Sequence, residues 1–227
     1  MNTDKRKERT RKMVVTALLG AVSIVLGLTP IGMIPLPMAN ATTMHIPVII
    51  GAILEGPVVG MIVGAIFGIF SLLKALIAPT SILSPFLLNP LVSVVPRILI
   101  GLVAAWLYRG IFRIAAGKKA LSPARERAAD SVAAAVAAAG ATAVNTAGVL
   151  GLLALIYAPQ YAQAANVPPE TVGYVIWGIF MTNGVPEIIV AVILTVAIVR
   201  ILKRVTGRNG AVTPKKAEKT EKHRSCP

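Results

Sequence analysis

The amino-acid sequence predicts an all-α integral membrane protein, a six-transmembrane-helix bundle with its N- and C-termini on the cytoplasmic side. Three observations carry that expectation. Hydrophobic residues make up 56% of the 227 residues and charged residues 14%, against about 45–50% and about 25% in soluble domains. The apolar residues gather into runs, several of them near the ~20 residues that a spanning helix needs. The basic residues gather between the runs: the formal net charge is +14, and all but two of the 23 Lys and Arg lie before residue 13, between Arg109 and Arg127, or from Arg200 onward. Basic residues concentrate in cytoplasmic loops, so these three regions read as inside. Nucleic acid is not an expected partner, because no basic run is interleaved with aromatic residues for base stacking.

Residues 1–12 form a basic cytoplasmic N-terminus, and the first helix runs over 13–28, stopping at Thr29-Pro30, where proline restricts the residue before it. A secretory signal also starts with a basic stretch and an apolar run, and Ala39-Asn40-Ala41 imitates a cleavage site. That triplet lies well beyond the end of a long apolar run, which favours a membrane helix. An outer loop over 31–43, with Gly32, Pro35, Pro37 and Asn40, leads to a second helix at 44–54. At about 1.5 Å per residue that helix is too short to cross alone. Glu55-Gly56-Pro57 marks a tight inner turn. The third helix, 57–77, carries Pro57 in its first turn, where a missing N–H costs nothing. A second outer segment, 78–85, precedes a fourth helix at 88–108, and a fifth follows at 129–157. A third outer loop, 158–173, has no Lys or Arg, and the sixth helix covers 174–202. These six helices form a membrane domain over 13–202. The basic tail, 203–227, is short of apolar residues and is expected to be disordered, anchoring topology and touching anionic lipid. Neither a 20–50-residue repeat nor the half-to-half symmetry of many secondary transporters is visible.

Gly56, Gly60, Gly64 and Gly68 recur every four residues and make a flat strip suited to close helix contact, either inside the bundle or with a partner. The chain has no phosphate-cradling Gly-rich loop with Lys and Ser/Thr, no Gly-x-Ser-x-Gly elbow and no His-Glu-x-x-His helix. The one cysteine, Cys226, and two distant histidines, His45 and His223, match no metal spacing. An enzyme is therefore not expected, nor a cofactor, a metal or a catalytic residue.

Ionisable groups inside apolar segments are costly and usually face a cavity or a partner. Lys74 falls near the outer end of the third helix, Arg97 midway along the fourth and Glu187 midway along the sixth. Asn89, Asn145, Asn183 and His45 add polar groups at middle or outer depth, and together these seven are the candidate substrate-binding residues. Each has a plainer alternative. Arg97 and Glu187 can pair with each other, Lys74 can snorkel to the outer interface, His45 can cap a helix, and each Asn can join two helices. Pro96 and Pro186 sit beside Arg97 and Glu187 and free backbone carbonyls in mid-helix, which membranes tolerate mainly beside cavities or compensating neighbours. If Arg97 pairs with Glu187, Lys74 still leaves the cavity positive, and an anion such as a carboxylate becomes the better match.

The segments Ala17-x-x-x-Ala21, His45-Ile-Pro-Val-Ile-Ile-Gly-Ala-Ile-Leu-Glu-Gly-Pro57 and Asn89-Pro-Leu-Val-Ser-Val-Val-Pro-Arg-Ile-Leu-Ile-Gly101 resemble those of the substrate-binding (S) components of energy-coupling-factor vitamin transporters. The resemblance covers about Met13 to Leu202 and is nearest to a subgroup that includes proteins assigned to pantothenate uptake. It implies a multi-pass protein of a prokaryotic cell membrane that captures a vitamin at the outer face, under a lid of outer loops, in a pocket formed mainly by its last three helices. It implies assembly with a transmembrane coupling subunit and two cytoplasmic ATPases, with Ala17 and Ala21 on the coupling face and the whole component toppling to release ligand inside. The alternative in another class is a self-sufficient proton- or sodium-coupled carrier of a small organic anion, using Glu187.

Overall fold

The computed structural model describes residues 3–29, 32–35, 40–79, 81–117 and 122–206. The expected tail therefore lies outside the described residues beyond Thr206, as do parts of the first outer loop and of the central basic loop. In chain order the elements are α1 (Thr3–Leu28), a hairpin of β1 (Met33–Pro35) and β2 (Asn40–Thr42), α2 (Ile46–Glu55), α3 (Pro57–Ile77), α4 (Pro90–Ser93), α5 (Val95–Ala116), α6 (Pro123–Ala165), α7 (Val172–Ile179) and α8 (Val185–Val205). Five stretches are long and apolar enough to cross a membrane, with α4–α5 counted as one and 169–205, which contains α7 and α8, as another. The sixth helix, α2, has 10 residues and spans about 15 Å, half of a bilayer's hydrocarbon thickness.

Among the described residues the hairpin is the one pair of strands, where the sequence suggested only a loop. β1 and β2 pair antiparallel, Met33 opposite Thr42 and Pro35 opposite Asn40, which satisfies backbone groups that an apolar setting would leave costly. The helix ends also differ from expectation. α1 begins ten residues before its apolar run, and Glu8 and Lys12 pair one turn apart (2.8 Å) within the added turns. α6 runs on through the expected outer loop to Ala165, where Asn166 takes the left-handed conformation (φ 54°) that closes helices. Within α6 the backbone breaks at Tyr157 (φ −128°, ψ 17°), two residues before Pro159. Proline there removes an i→i−4 hydrogen bond and crowds the turn before it. The break turns Tyr161 and Ala162 into a small apolar cluster with Leu83, Phe86, Leu153 and Ile179.

The larger core surrounds α2, whose residues Ile46 to Ile53 are all buried. On one side of it α3 and α5 meet backbone to backbone. A Cβ placed on Gly64 would lie 2.2 Å from the Arg97 carbonyl oxygen, one on Gly101 2.2 Å from the Gly60 carbonyl carbon, and one on Gly68 2.8 Å from the Val94 Cα. The glycine strip is thus buried inside the bundle, facing α5. Alanines 133, 134, 137, 138 and 141 give α6 a similarly smooth buried face. α1 packs through Gly20, Ser23 and Gly27, with the Ser23 hydroxyl donating to the Met44 carbonyl at 3.2 Å. Its other face carries Ala17 and Ala21 outward, exposed together with Val14, Leu18 and Val25.

Gly64→Ala is expected to destabilise the bundle by about 1–3 kcal/mol, because the added methyl meets backbone that cannot rotate away. Gly110→Ala, whose methyl would meet nothing within 4 Å, is expected to be neutral or to stabilise by about 0.5 kcal/mol through helix propensity. Thermal unfolding of the two variants in one detergent measures the contrast.

Candidate functional site

Two prolines shape the half of the bundle nearer the hairpin. Ahead of Pro96 the chain leaves α4, bends at Val94 and restarts as α5. Ahead of Pro186 the helix widens into a π turn over Phe180–Gly184 before α8 begins, because Pro186 has no N–H to continue the α ladder. The first bend sets Arg97 in the opening turns of α5, and the second swings Asn183 and Glu187 inward. Between them lies a cavity of about 120 Å³, walled by α3, the turn at Ser81–Leu87, α5, α6 and α8, with Thr42 of the hairpin at its side.

Five of the seven sequence candidates line this cavity: Lys74, Arg97, Asn145, Asn183 and Glu187. All but Lys74 are buried. Arg97 and Glu187 do not form an ion pair with each other. Arg97 Nη1 donates to the Val92 carbonyl at 2.9 Å, and its guanidinium sits 5.4 Å from the centre of the Phe67 ring. Glu187 instead accepts from the Thr42 backbone N–H and from the Thr146 hydroxyl, the latter at 3.0 Å. Three polar atoms on the wall have no hydrogen-bond partner among the described residues: Arg97 Nε, Asn145 Oδ1 and Asn183 Nδ2. Buried polar atoms are rarely left so, and a site that leaves two donors and one acceptor open is suited to a ligand that supplies their complements. Lys74 stands at the mouth and donates to the Gly27 carbonyl, joining α3 to the end of α1.

The other two candidates lie off the cavity. Asn89 caps α4: its Oδ1 accepts from the Leu91 N–H at 2.9 Å, and its Nδ2 donates to the Tyr157 hydroxyl at 3.0 Å. A helix restarting at Pro90 needs such a cap, and Tyr157 stands at the kink of α6. His45 precedes α2 as its N-cap residue and is 1% exposed, so it is packed into the core. No group of three or more His, Cys, Asp or Glu able to hold a metal occurs among the described residues. Sequence reasoning passed over Thr42 and Thr146, the two residues that hold Glu187. Thr142, Asn145 and Thr146 form an i, i+3, i+4 polar stripe on an Ala-rich helix, a signal that could have found Thr146. Nothing local marks Thr42, because its role depends on where the hairpin folds.

Glu187 thus ties the hairpin to α8 across 145 residues of chain. Replacing it with Ala removes a charge-assisted hydrogen bond of roughly 1.5–3 kcal/mol, so amide exchange at Thr42 should speed by about tenfold or more. Thr146→Val should give a smaller change in the same direction. Hydrogen exchange read peptide by peptide measures both.

The family described as "ECF transporter, substrate-specific component" matches residues 11–199. The chain is also similar to two curated relatives. One is the "Pantothenic acid transporter PanT" of Lactococcus lactis subsp. cremoris, 29% identical over 218 residues, 88% of this chain and 97% of the relative. The other is the "Pantothenate transporter PanT" of Leuconostoc mesenteroides subsp. mesenteroides, 29% identical over 215 residues, 89% of this chain and 97% of the relative. Apolar spans, a polar cavity beside the hairpin and a family match over most of the sequence converge: this is a multi-pass plasma-membrane protein of a prokaryote, and the chain belongs to the family of substrate-specific components of ECF transporters.

Proposed function

We propose that the protein is the substrate-capture subunit of an ECF-type importer, taking pantothenate at the extracellular face with both termini in the cytoplasm. What supports this most directly is the cavity beside Arg97, with its open donors and acceptor, in a chain similar over nearly its whole length to two relatives named for pantothenate transport. The chemistry matches. A carboxylate suits Arg97, with Lys74 at the mouth adding a second positive charge. The ligand's amide and hydroxyl groups have both donors and acceptors to offer Asn145 and Asn183. The cavity is smaller than the ~300 Å³ at the low end of small-molecule pockets, so ligand entry displaces the outer wall. The wall best suited to move is the turn at Ser84–Leu88, a 3-10 segment held by short-range hydrogen bonds.

The chain has the membrane faces of a subunit and no nucleotide-binding loop, and the proposed partners are a transmembrane coupling subunit and two cytoplasmic ATPases. The exposed Ala17–Ala21 face of α1 is the proposed coupling surface. A second reading, a proton- or sodium-coupled carrier working alone, draws support from Glu187, a buried carboxylate held only by neutral donors.

Titration of the purified chain with pantothenate by calorimetry tests the first reading. Arg97→Gln is expected to weaken binding by about tenfold to a hundredfold, as a lost charged hydrogen bond does; Asn89→Ala, off the cavity, should stay within about threefold. Tight binding of a different vitamin, with pantothenate ignored, would exclude the assignment. In proteoliposomes the chain alone should not accumulate pantothenate; uptake without ATP and partners selects the carrier instead. Ala17→Leu should bind ligand normally and lose transport in the assembled complex.

A further inference from the structure

A second and larger cavity, about 540 Å³, opens at the opposite end of the bundle, among the first turns of α1, the α2–α3 turn, the end of α5, the start of α6 and the end of α8. Its charges sort into two sets. Three are neutralised locally: Arg11 pairs with Glu55 at 2.7 Å, Lys12 with Glu8 at 2.8 Å, and Lys203 with Asp130 beside the Tyr108 hydroxyl. The others are Arg109, Arg113 and Arg127, which make no ion pair or side-chain hydrogen bond among the described residues, and Glu126 is the remaining acid on the wall. Arg109 and Arg113 lie one turn apart on α5, and Arg109 crosses to within 3.1 Å of where a Gly56 side chain would be. Gly56 has a φ of 102°, which favours glycine and keeps this passage clear. Pro123, in the first turn of α6, adds the positive end of a helix to the same wall.

We propose that this cavity binds a phosphate-bearing anion, and that its source is the headgroup of an anionic phospholipid such as phosphatidylglycerol. Arginine's planar fork suits phosphate oxygens, and three arginines facing one glutamate leave a positive site. The depth matches a headgroup. Next to these basic groups the outer surface turns strongly apolar, with Ile114 78% and Val205 79% exposed and Met13 beside Lys12 also exposed. The mouth therefore opens where acyl-chain contact gives way to charge, the level at which anionic lipids meet basic clusters. The site stands apart from the outer cavity and does not depend on which vitamin, if any, binds there.

The test uses the full-length chain in neutral detergent, following its thermal midpoint while phosphatidylglycerol, phosphatidylcholine or inorganic phosphate is added. Phosphatidylglycerol should raise the midpoint saturably and phosphatidylcholine should not. The combined variant Arg109→Gln, Arg113→Gln, Arg127→Gln should need about a hundredfold more phosphatidylglycerol for half the shift, and each single variant about fivefold more. A tail control, Lys215→Gln, Lys216→Gln, Lys219→Gln, Lys222→Gln, should stay within about twofold of the parent. If inorganic phosphate alone reproduces the shift and the triple variant abolishes it, the phosphate site stands and its source is soluble. The proposal is overturned if phosphatidylcholine works as well as phosphatidylglycerol, if the triple variant responds like the parent, or if the tail control loses the response.

Discussion

The approach of α3 to α5 without intervening side chains is the constraint on which the rest of the molecule depends. Gly60, Gly64 and Gly68 meet Gly101, the Arg97 carbonyl and Val94 at distances that exclude a methyl group. In lipid there is little hydrophobic drive between helices, and close van der Waals contact of this kind has to supply the association. The contact also fixes the level of Arg97. Its carbonyl is pressed against α3 while its side chain turns toward the cavity, so the geometry of a polar site is set by an apolar seam. The smooth alanine face of α6 then closes the bundle around the same helix.

The second organising feature is that the two buried charges of the cavity are held by neutral neighbours rather than paired with each other. Arg97 leans on a carbonyl and the Phe67 ring, and Glu187 on a backbone N–H and the Thr146 hydroxyl. An Arg97–Glu187 pair would have consumed both charges. Their separation leaves a guanidinium edge available and turns the carboxylate into the tether of the hairpin. Site and closure are thus connected through one side chain, and whatever draws on Glu187 also acts on the strand above it.

Much of the architecture was legible in the sequence because its causes are local. Apolar runs and basic clusters gave the spans, and Pro96 and Pro186 announced two interruptions that the structure shows as a bend and a π turn. The rarity of charge within the runs singled out Lys74, Arg97 and Glu187, and all three line one cavity along with Asn145 and Asn183. What was not legible depends on tertiary register. Asn89 and His45 carry the same polar chemistry as the cavity residues, yet one is spent on a helix cap and the other on core packing. Thr42 acquires its role only when the hairpin folds against α8. The extension of α6 past Tyr157 was hidden by Pro159, which reads locally as a stop although the chain resumes its helix beyond the kink.

The two cavities face opposite ends of one molecule, and α2 stands between them with eight consecutive buried residues. Val48, Ile49, Ile100 and Ala104, in the plug that it forms with α5, are all fully buried. No polar path therefore joins the two cavities through α2 and these residues of α5. The arrangement is a cul-de-sac, each cavity closed toward the other by the same apolar plug.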